Sequence, residues 1–485
     1  MSEAVRVRKN SLYSALSISS RLIANVFVFW IMARYYGPEI FGQFKSAQVL
    51  ATNFIILADF GFDILLTTEV ARNRINAQKL FRQFYSLKFI FSIIAFISMW
   101  ILSIFGEFSN ETRMLIQMLS FYTVFTTLTN YLFALYKGFE KLEYETKVSL
   151  IINIGLIIVV LPLILFKTNV LIIAAIFVSS RIIGFIVGVI YSYKLIPNLS
   201  FKFLFDGFSE IKNKFLIFGL FLLFNNLFFQ LDTILLSLWI GDKTVGVYQA
   251  AFMLIMLPLV IPDILINTLM PLLSRLNVEN QELWKKTGFL MNKILIALVT
   301  PIAIILFVCA EQIINFIYGI NHYSESILVL RVLAVTLVVR FSLEAFALLL
   351  TTSNRQKIRL FTVSIATALN FTINYFLIPK YGALGAAVVS LITNFFVGII
   401  YYINNSKLIP EYLLNTKTIL FIITSLIFAY IFWIFKDANI FITIPIVLTV
   451  YSLLIGFFYF SKEEMQLIIS KDFNINFIKN KSDKS

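Results

Sequence analysis

The side chains that could do chemistry in this chain are few, and most are charged residues inside long apolar stretches. The chain has one cysteine, Cys309, and one histidine, His322, which excludes an intrachain disulfide and a Cys/His catalytic pair. A charged side chain inside an apolar segment is costly, and it usually faces a water-filled cavity or an opposite charge. The charged residues of these segments are therefore the candidates for function, and we expect no catalytic residue, metal site or cofactor.

Three arginines lie far from the ends of the apolar segments that contain them: Arg21, Arg181 and Arg340. Arg21 shares a helical face with Asn25, because residues four apart stack on a helix. A guanidinium group makes paired, charged hydrogen bonds to phosphate oxygens and keeps its proton. We expect these four residues to line a cationic cavity that binds an anionic, phosphate-bearing substrate.

The acidic residues of the apolar segments are Asp59, Asp63, Asp232, Asp263 and Glu344. Two roles stay open for them: binding a coupling cation, either a proton or sodium, or pairing with basic residues to brace the helices. Bracing is the favoured role for Glu344 with Arg340, which lies four residues before it. Asp59 and Asp63 have no histidine, nucleophile or set of metal ligands nearby, so they do not form a credible hydrolytic site.

Four more basic residues lie within a turn or two of a segment end: Lys45, Lys88, Lys293 and Arg331. A long basic side chain near a helix end can reach the polar interface of the membrane with its charged group. We expect this snorkelling to account for all four residues.

The composition predicts a polytopic, all-α membrane protein. Hydrophobic residues make up 59% of the chain and charged residues only 14%, whereas soluble domains carry about 25% charge. Spans of roughly 20 apolar residues can be counted fourteen times along the chain. Their approximate limits are 11–34, 44–66, 84–105, 113–136, 147–166, 170–193, 215–240, 246–270, 288–309, 327–351, 358–378, 382–404, 416–435 and 439–460.

The basic residues predict the orientation of these spans. With the N-terminus in the cytoplasm, 27 Lys and Arg fall on the cytoplasmic side and six fall outside. Cytoplasmic loops of membrane proteins carry an excess of basic residues, so both termini are expected in the cytoplasm. The same rule accounts for the net charge of +14 without nucleic acid as a partner.

The chain repeats internally with a unit of six spans. Two short outer loops each carry a glycine pair, Gly37 with Gly42 and Gly241 with Gly246, at an offset of 204. FIVGVIYSYKL and FFVGIIYYINNSKL echo each other with Gly188 and Gly398 at an offset of 210. An even number of spans keeps both units in one orientation, as in parallel-repeat transporters. We expect two lobes, 1–200 and 201–405, followed by two extra spans in 406–460 and a cytoplasmic tail, 461–485.

Three segments in order along the chain carry a resemblance to a known family: ARYYGPEIFGQF, DTILLSLWIGDKTVGVYQAAFML and YGALGAAVVSLITNFFVGIIYY. With them, most of residues 10–405 resembles the polysaccharide-transporter family, the Wzx-type lipid-linked oligosaccharide flippases of the MATE-like flippase superfamily. The resemblance implies two six-helix lobes around a central cavity that opens alternately to each side. It also implies a polyprenyl-diphosphate sugar as cargo, and for the extra spans a groove that holds the lipid tail, as in the lipid II branch.

The favoured function is therefore a flippase in the bacterial cytoplasmic membrane that moves lipid-linked oligosaccharide units of O-antigen, a lipopolysaccharide component, of capsule or of another surface polysaccharide. A polymerase and a chain-length regulator of the same pathway are the expected partners. The alternative is a cation-coupled exporter of small molecules or drugs on the same fold, which would favour an acidic cavity. A membrane polymerase or ligase is disfavoured, because the outer loops are too short to hold a catalytic domain.

Overall fold

The computed structural model describes residues 3–205, 208–319, 322–406, 416–434, 440–455, 459–461 and 464. Across these residues the chain forms fifteen α-helices and no β-strand. In chain order the helices are α1 (Glu3–Asp59), α2 (Phe62–Arg72), α3 (Ala77–Phe105), α4 (Asn110–Gly138), α5 (Leu142–Leu165), α6 (Val170–Leu195), α7 (Phe208–Trp239), α8 (Asp242–Met256), α9 (Val260–Glu279), α10 (Gln281–Val308), α11 (Ala310–Tyr318), α12 (Ser324–Thr352), α13 (Gln356–Ser406), α14 (Thr416–Ile434) and α15 (Ile440–Leu454).

The helices confirm the predicted all-α membrane fold, and fourteen spans fit them. Nine of the described helices are long and apolar enough to cross a membrane. Two of these are longer than one span. Helix α13 contains the predicted spans 358–378 and 382–404, joined at the non-helical Gly382. Helix α1 contains the span 11–34 and most of 44–66, joined at the non-helical Gly37, and the end of 44–66 lies in α2. Taken together, α8 and α9 are also long and apolar enough to cross a membrane, with a bend of 40° between them, at the point where Pro258 interrupts the helical hydrogen bonding; they fit one further predicted span. The shorter apolar helices α14 and α15 account for the last two spans.

The chain divides into two compact units, and each is discontinuous in sequence. The first unit consists of Met1–Met253, Ile314–Val329 and Val363–Ser390, and the second of Leu254–Ile313, Leu330–Thr362 and Leu391–Ser485. These units are defined by contacts, whereas the predicted lobes 1–200 and 201–405 are defined by the internal repeat. The lobe boundaries, the extra spans in 406–460 and the tail in 461–485 stay a prediction.

Aromatic side chains dominate the core of the first unit. Phe62, Phe81, Tyr131 and Tyr136 are almost fully buried there. The hydroxyl of Tyr131 donates to the Phe81 carbonyl, and that of Tyr136 to the Gly188 carbonyl. Hydrocarbon offers no hydrogen bonds, so each buried hydroxyl needs such a partner. The core therefore fixes the rotation of the helices as well as their spacing.

The glycines of the outer-loop repeat pack directly against each other inside the first unit. A Cβ atom added to Gly42 would overlap the carbonyl of Asp242, and one added to Gly246 would overlap the carbonyl of Pro38. The contact is reciprocal, because Asp242 and Gly246 stand 204 residues after Pro38 and Gly42. Small residues allow helix backbones to approach this closely. The equivalent contacts on both sides support the predicted repeat of six spans.

Hydrogen bonds join the same end of the first unit to the segment around α11 and α12. The indole of Trp30 donates to the Ile317 carbonyl at 2.9 Å, and the Tyr323 hydroxyl donates to the Ala33 carbonyl at 2.9 Å. Ser109 donates to the carboxylate of Asp242 at 2.6 Å. In the predicted topology this is the outer side, so the glycine crossing and these bonds close the outer end of the first unit.

The glycine crossing predicts a specific sensitivity to a single methyl group. We expect Gly42→Ala to lower the melting temperature of the purified protein, because overpacking in a dense contact costs about 1–3 kcal/mol. Gly155→Ala is the matched control, since a Cβ at this helical glycine meets no atom within 4 Å. The control should melt at the wild-type temperature or slightly above it. Equal melting temperatures for both variants would contradict the close crossing.

Candidate functional site

Arg21 and Arg181 come together in the first unit, although they lie on α1 and α6. The charge of Arg181 reaches Arg21, as do Glu145 of α5 and Tyr122 of α4. The Arg181 guanidinium lies 5.0 Å from the centre of the Tyr122 ring. Arg21 is exposed, and the Nε atom of Arg181 is buried without a hydrogen-bond partner among the described residues. Two guanidinium groups with one carboxylate give this cluster a net positive charge.

A seam of small polar residues runs beside the arginine cluster, between α1 and α5. The hydroxyl of Ser17 donates to that of Ser149 at 2.9 Å, and the side-chain amide of Asn153 donates to the Ser20 hydroxyl at 3.1 Å. Asn25 lies half-buried one turn beyond Arg21. The polar side chains of α1 that precede Arg21 thus pack against α5.

Asp59 and Asp63 flank a break in the chain, and one lysine holds both. Phe60 and Gly61 have positive φ angles of 43° and 90°, which end α1 and reorient the chain into α2. The ammonium group of Lys88, on α3, lies 2.5 Å from Oδ1 of Asp59 and 2.7 Å from Oδ1 of Asp63. The Lys88 side chain is 0% exposed and each carboxylate about a fifth exposed. Lys88 therefore fastens the end of one helix to the start of the next.

The prediction that the basic residues near span ends snorkel is wrong for three of the four. Lys88 is fully buried in its double ion pair. Lys45 is buried with its ammonium 3.7 Å from the centre of the Phe29 ring. Lys293 is buried and lies 2.8 Å from Glu464. Position along a helix gives the distance to the helix end, but it does not show which neighbouring element supplies a partner at that depth.

The Lys293 contact fixes the residues that follow α15. Lys293 donates to both carboxylate oxygens of Glu464 and to the carbonyl of Tyr459. Partial burial alone would raise the pKa of Glu464, but hydrogen bonds from Lys293 and from the Ser461 backbone, with the Lys293 charge, hold that pKa below its usual value. The start of the tail is therefore anchored by a charged hydrogen bond to α10.

Asp232 of α7 is the centre of a buried polar cluster in the first unit. Its Oδ1 atom accepts hydrogen bonds from the side-chain amides of Asn370 at 3.0 Å and Asn374 at 2.8 Å, and its Oδ2 atom accepts one from Tyr248 at 3.1 Å. Asp232 is 2% exposed, and the buried Oδ1 atom of Asn374 has no hydrogen-bond partner in the described part of the chain. The cluster thus brings a carboxylate and an additional amide oxygen into one dry site.

Asn370 and Asn374 of α13 were missed by the sequence reasoning. Closer to Asp232 in sequence are Asn225, Asn226 and Gln230, but Asn226 bonds to Asn53 of α1. The available signal was the spacing of Asn370 and Asn374. Two amides four residues apart in an apolar span form a polar stripe on one face, as Asp59 and Asp63 do.

Arg340, Glu344 and Asp263 all belong to the second unit. Arg340 is 4% exposed, with its Nε atom 3.3 Å from Oδ1 of Asn394. Glu344 interacts electrostatically with Arg359, with Asp263 and with Arg340. The Arg340–Asn394 hydrogen bond joins α12 to α13, and bracing of Glu344 by Arg340 stays a prediction that their electrostatic interaction supports. A role for Arg340 in substrate binding stays a prediction, and Asp263 is the exposed member of the set.

An apolar groove of about 660 Å³ crosses the second unit between α10, α12, α13 and α14. On α10 it is lined from Ile296 to Phe307, and on α12 from Ala334 to Phe346. The second half of α13 and the middle of α14 supply the other walls. No sequence pattern distinguishes this lining from the lipid-facing surface, because both consist of aliphatic and aromatic side chains.

The lysine between two carboxylates generates a stability prediction. Lys88→Met leaves two carboxylates in a poorly hydrated site, and breaking a buried pair in this way costs about 3–5 kcal/mol. We expect a much lower melting temperature and less folded protein. Lys45→Met is the matched control, because the described contacts of this buried lysine are two aromatic rings and the Gln48 amide oxygen, with no carboxylate.

A second substitution separates charge from packing at this site. Adding Asp59→Asn to Lys88→Met removes one of the stranded charges, so it should restore part of the lost melting temperature. If Lys88→Met melts like Lys45→Met, or if Asp59→Asn lowers stability further, the ion pairs do not stabilise the helix break.

Comparison with known proteins shows which family and which solved structures this chain is similar to. The profile of the polysaccharide biosynthesis protein family matches residues 7–277. No curated protein matches the chain in a direct comparison. Among solved structures, the lipid II flippase MurJ in an inward closed conformation has a TM-score of 0.74 at 16% identity, covering 92% of this chain and 98% of MurJ.

Two further structures share the fold. A multidrug resistance MATE family transporter of the MOP superfamily, in an inward-facing conformation, has a TM-score of 0.64 at 15% identity and covers 81% of this chain and 98% of its own. A MOP superfamily transporter from Pyrococcus furiosus, described as having a binding pocket of reversed polarity, has a TM-score of 0.57 at 15% identity and covers 83% and 95%. The protein has the MurJ and MATE fold and belongs to the polysaccharide biosynthesis protein family.

Proposed function

We propose that this protein is a flippase that moves polyprenyl-diphosphate-linked oligosaccharide units across the cytoplasmic membrane of a bacterium by alternating access. The observation that carries the proposal is the electrostatic interaction of Arg21 with Arg181 in the first unit, with Tyr122 near both. A pair of permanent positive charges at this position in a membrane-spanning bundle suits an anionic substrate, and the family of the chain supports a sugar-bearing one.

The diphosphate of such a cargo matches the chemistry of the arginine cluster. Guanidinium groups bind phosphate oxygens through two parallel charged hydrogen bonds, and they keep their charge at any physiological pH. Arg181 still has a buried Nε donor to offer, and the Tyr122 ring holds its guanidinium plane in place. Asn25, half-buried one turn beyond Arg21, offers an amide donor and acceptor for sugar hydroxyls.

The apolar groove of the second unit matches the other end of the cargo. Its volume of about 660 Å³ lies within the range of pockets that bury a small ligand, roughly 300–1,000 Å³. It is lined along about 18 Å of α12, from Ala334 to Phe346, at 1.5 Å per residue. We assign it to part of the polyprenyl chain, which must stay in an apolar environment while the head group crosses.

The charge of the arginine cluster also separates this proposal from a drug exporter on the same fold. Exporters of cationic drugs need an acidic cavity, and two arginines would repel such a substrate. The cargo would be a repeat unit of O-antigen, capsule or another surface polysaccharide, with the pathway's polymerase and chain-length regulator as partners. The basic asymmetry of the loops supports a cytoplasmic position for both termini.

We further propose that the Asp232 cluster binds the coupling cation, with sodium as the favoured ion. A buried carboxylate beside the unpartnered amide oxygen of Asn374 offers the oxygen ligands that hard cations prefer. The amides that bond to this carboxylate are neutral, so they do not neutralise its negative charge, and a bound cation can do so. The Asp59 and Asp63 carboxylates are less suitable, because Lys88 already occupies the space between them.

The arginine pair generates a functional prediction. In cells that depend on this protein, the Arg21→Ala, Arg181→Ala double variant should remain in the membrane but reduce surface polysaccharide strongly, because the head group loses its charged path. Lysine at both sites should keep partial function, since charge survives while the paired geometry is lost. Arg72→Ala is the control, as this arginine is exposed and pairs only with Glu69 among the described contacts. Normal polysaccharide from a well-expressed double variant would refute the proposal.

The Asp232 cluster generates a prediction for the purified protein. Sodium chloride should raise the melting temperature of the wild type above that in choline chloride, because a ligand that binds only the folded state stabilises it. Asp232→Asn should abolish this difference. Asp263→Asn, which removes an exposed carboxylate, should keep it. A sodium effect that survives Asp232→Asn would place the coupling ion elsewhere.

A further inference from the structure

Three helix ends of the second unit meet at Arg331. Phe307 lies in the last turn of α10, Trp433 in the last turn of α14, and Arg331 in the third turn of α12. The Nε atom of Arg331 donates to the Phe307 carbonyl at 3.3 Å, and its guanidinium lies 4.8 Å from the centre of the Trp433 ring. The Phe307 and Trp433 rings are 5.9 Å apart. The arginine is thus held in one orientation by the Phe307 carbonyl and by the Trp433 ring, which in turn packs against the Phe307 ring.

The same place is one end of the apolar groove. Phe307 is the last groove residue of α10, and Ala334 is the first groove residue of α12. Arg331 precedes Ala334 by three residues, so it lies on the same helical face, one turn beyond the groove. A channel lined by aliphatic and aromatic side chains therefore ends at a fixed cation.

Interface anchoring explains only part of this arrangement. An arginine that stacks on tryptophan and contacts the carbonyls at the end of α10 is favourably placed at a membrane interface. However, these contacts use the Nε atom and the face of the guanidinium group. Arginine has five N–H donors in a planar fork, and neither described contact uses the two terminal amino groups, on a side chain that is partly exposed.

We infer that Arg331 is a head-group site: it binds the diphosphate of a polyprenyl diphosphate whose chain lies in the adjoining groove. The inference rests on the proposed function and adds a residue and a position to it. Charge complementarity selects this occupant, because an apolar channel that ends at a cation fits a long apolar chain that ends at an anion. In the predicted topology α12 begins on the outer side, so this site serves the head group after it has crossed the membrane.

The test is a lipid-binding measurement on the purified full-length protein by native mass spectrometry. Undecaprenyl diphosphate is titrated against undecaprenol, which has the same chain without the diphosphate. The ratio of the two affinities gives the contribution of the diphosphate to binding, because the contribution of the chain cancels. It is measured for the wild type and in the Arg21→Ala, Arg181→Ala background, where the other proposed diphosphate site is removed.

In both backgrounds Arg331→Gln should reduce the preference for the diphosphate by about tenfold or more, the usual loss when a charged hydrogen bond is removed. Glutamine can still donate to the Phe307 carbonyl, so packing is largely kept. Undecaprenol binding should not change. Val335→Trp, which fills the groove, should weaken both lipids. Arg34→Ala is the matched control, because Arg34 also donates to a backbone carbonyl and is exposed, but it lines no part of the groove.

The outcomes separate the two proposals. A wild type without any preference for the diphosphate would overturn the proposed function. A preference that is lost in the Arg21→Ala, Arg181→Ala variant and unaffected by Arg331→Gln would overturn only the inference about Arg331. A lower melting temperature with an unchanged preference would show that Arg331 is an interface anchor. Equal competition by phosphatidylglycerol would also overturn the inference, because the site would then accept any anionic lipid.

Discussion

The inability of hydrocarbon to solvate charge governs where every deep ionisable residue of this protein lies. Lys88 is buried between two carboxylates, and Lys293 is held by Glu464 and a backbone carbonyl. These contacts join elements and stabilise them. Arg21 and Arg181 differ, since they approach each other, two like charges beside a single carboxylate. Like charges are kept together in a membrane at a cost, and the anionic substrate proposed above would offset that cost.

The spans and their breaks could be predicted from sequence because they depend on local properties. Runs of about 20 apolar residues are long enough to span hydrocarbon, and they correspond to the helices in order. The glycine pairs indicated more than a turn. Gly37 and Gly241 both adopt positive φ angles, of 77° and 117°, while Gly42 and Gly246 permit a backbone contact. The two glycine pairs are 204 residues apart because both loops need the same things: a positive φ angle at the first glycine and no Cβ atom at the second.

The partners of the deep charges could not be predicted, because they depend on rotation and on neighbouring helices. Asp232 bonds to Asn374, 142 residues away, rather than to the amides next to it in sequence. Lys88 is near the start of its predicted span, 84–105, which suggested access to the interface, but α3 begins at Ala77 and carboxylates of α1 and α2 cover the lysine. The groove was likewise beyond sequence reasoning about residue types, since its lining shares the composition of the lipid-facing surface.

The closed outer end of the first unit has an electrical consequence. A bacterial membrane stores its energy as a voltage, which acts on each elementary charge with about 2.3 kcal/mol per 100 mV. A helix bundle with charged groups and water in its interior would let ions flow down that voltage if the interior were open to both sides of the membrane. At the glycine crossing backbone meets backbone with no room for a methyl group, and therefore none for a file of water. In the predicted topology the contact between Gly42 and Gly246 thus closes the space between these two backbones, on the outer side, to water and to the ions that such a voltage drives.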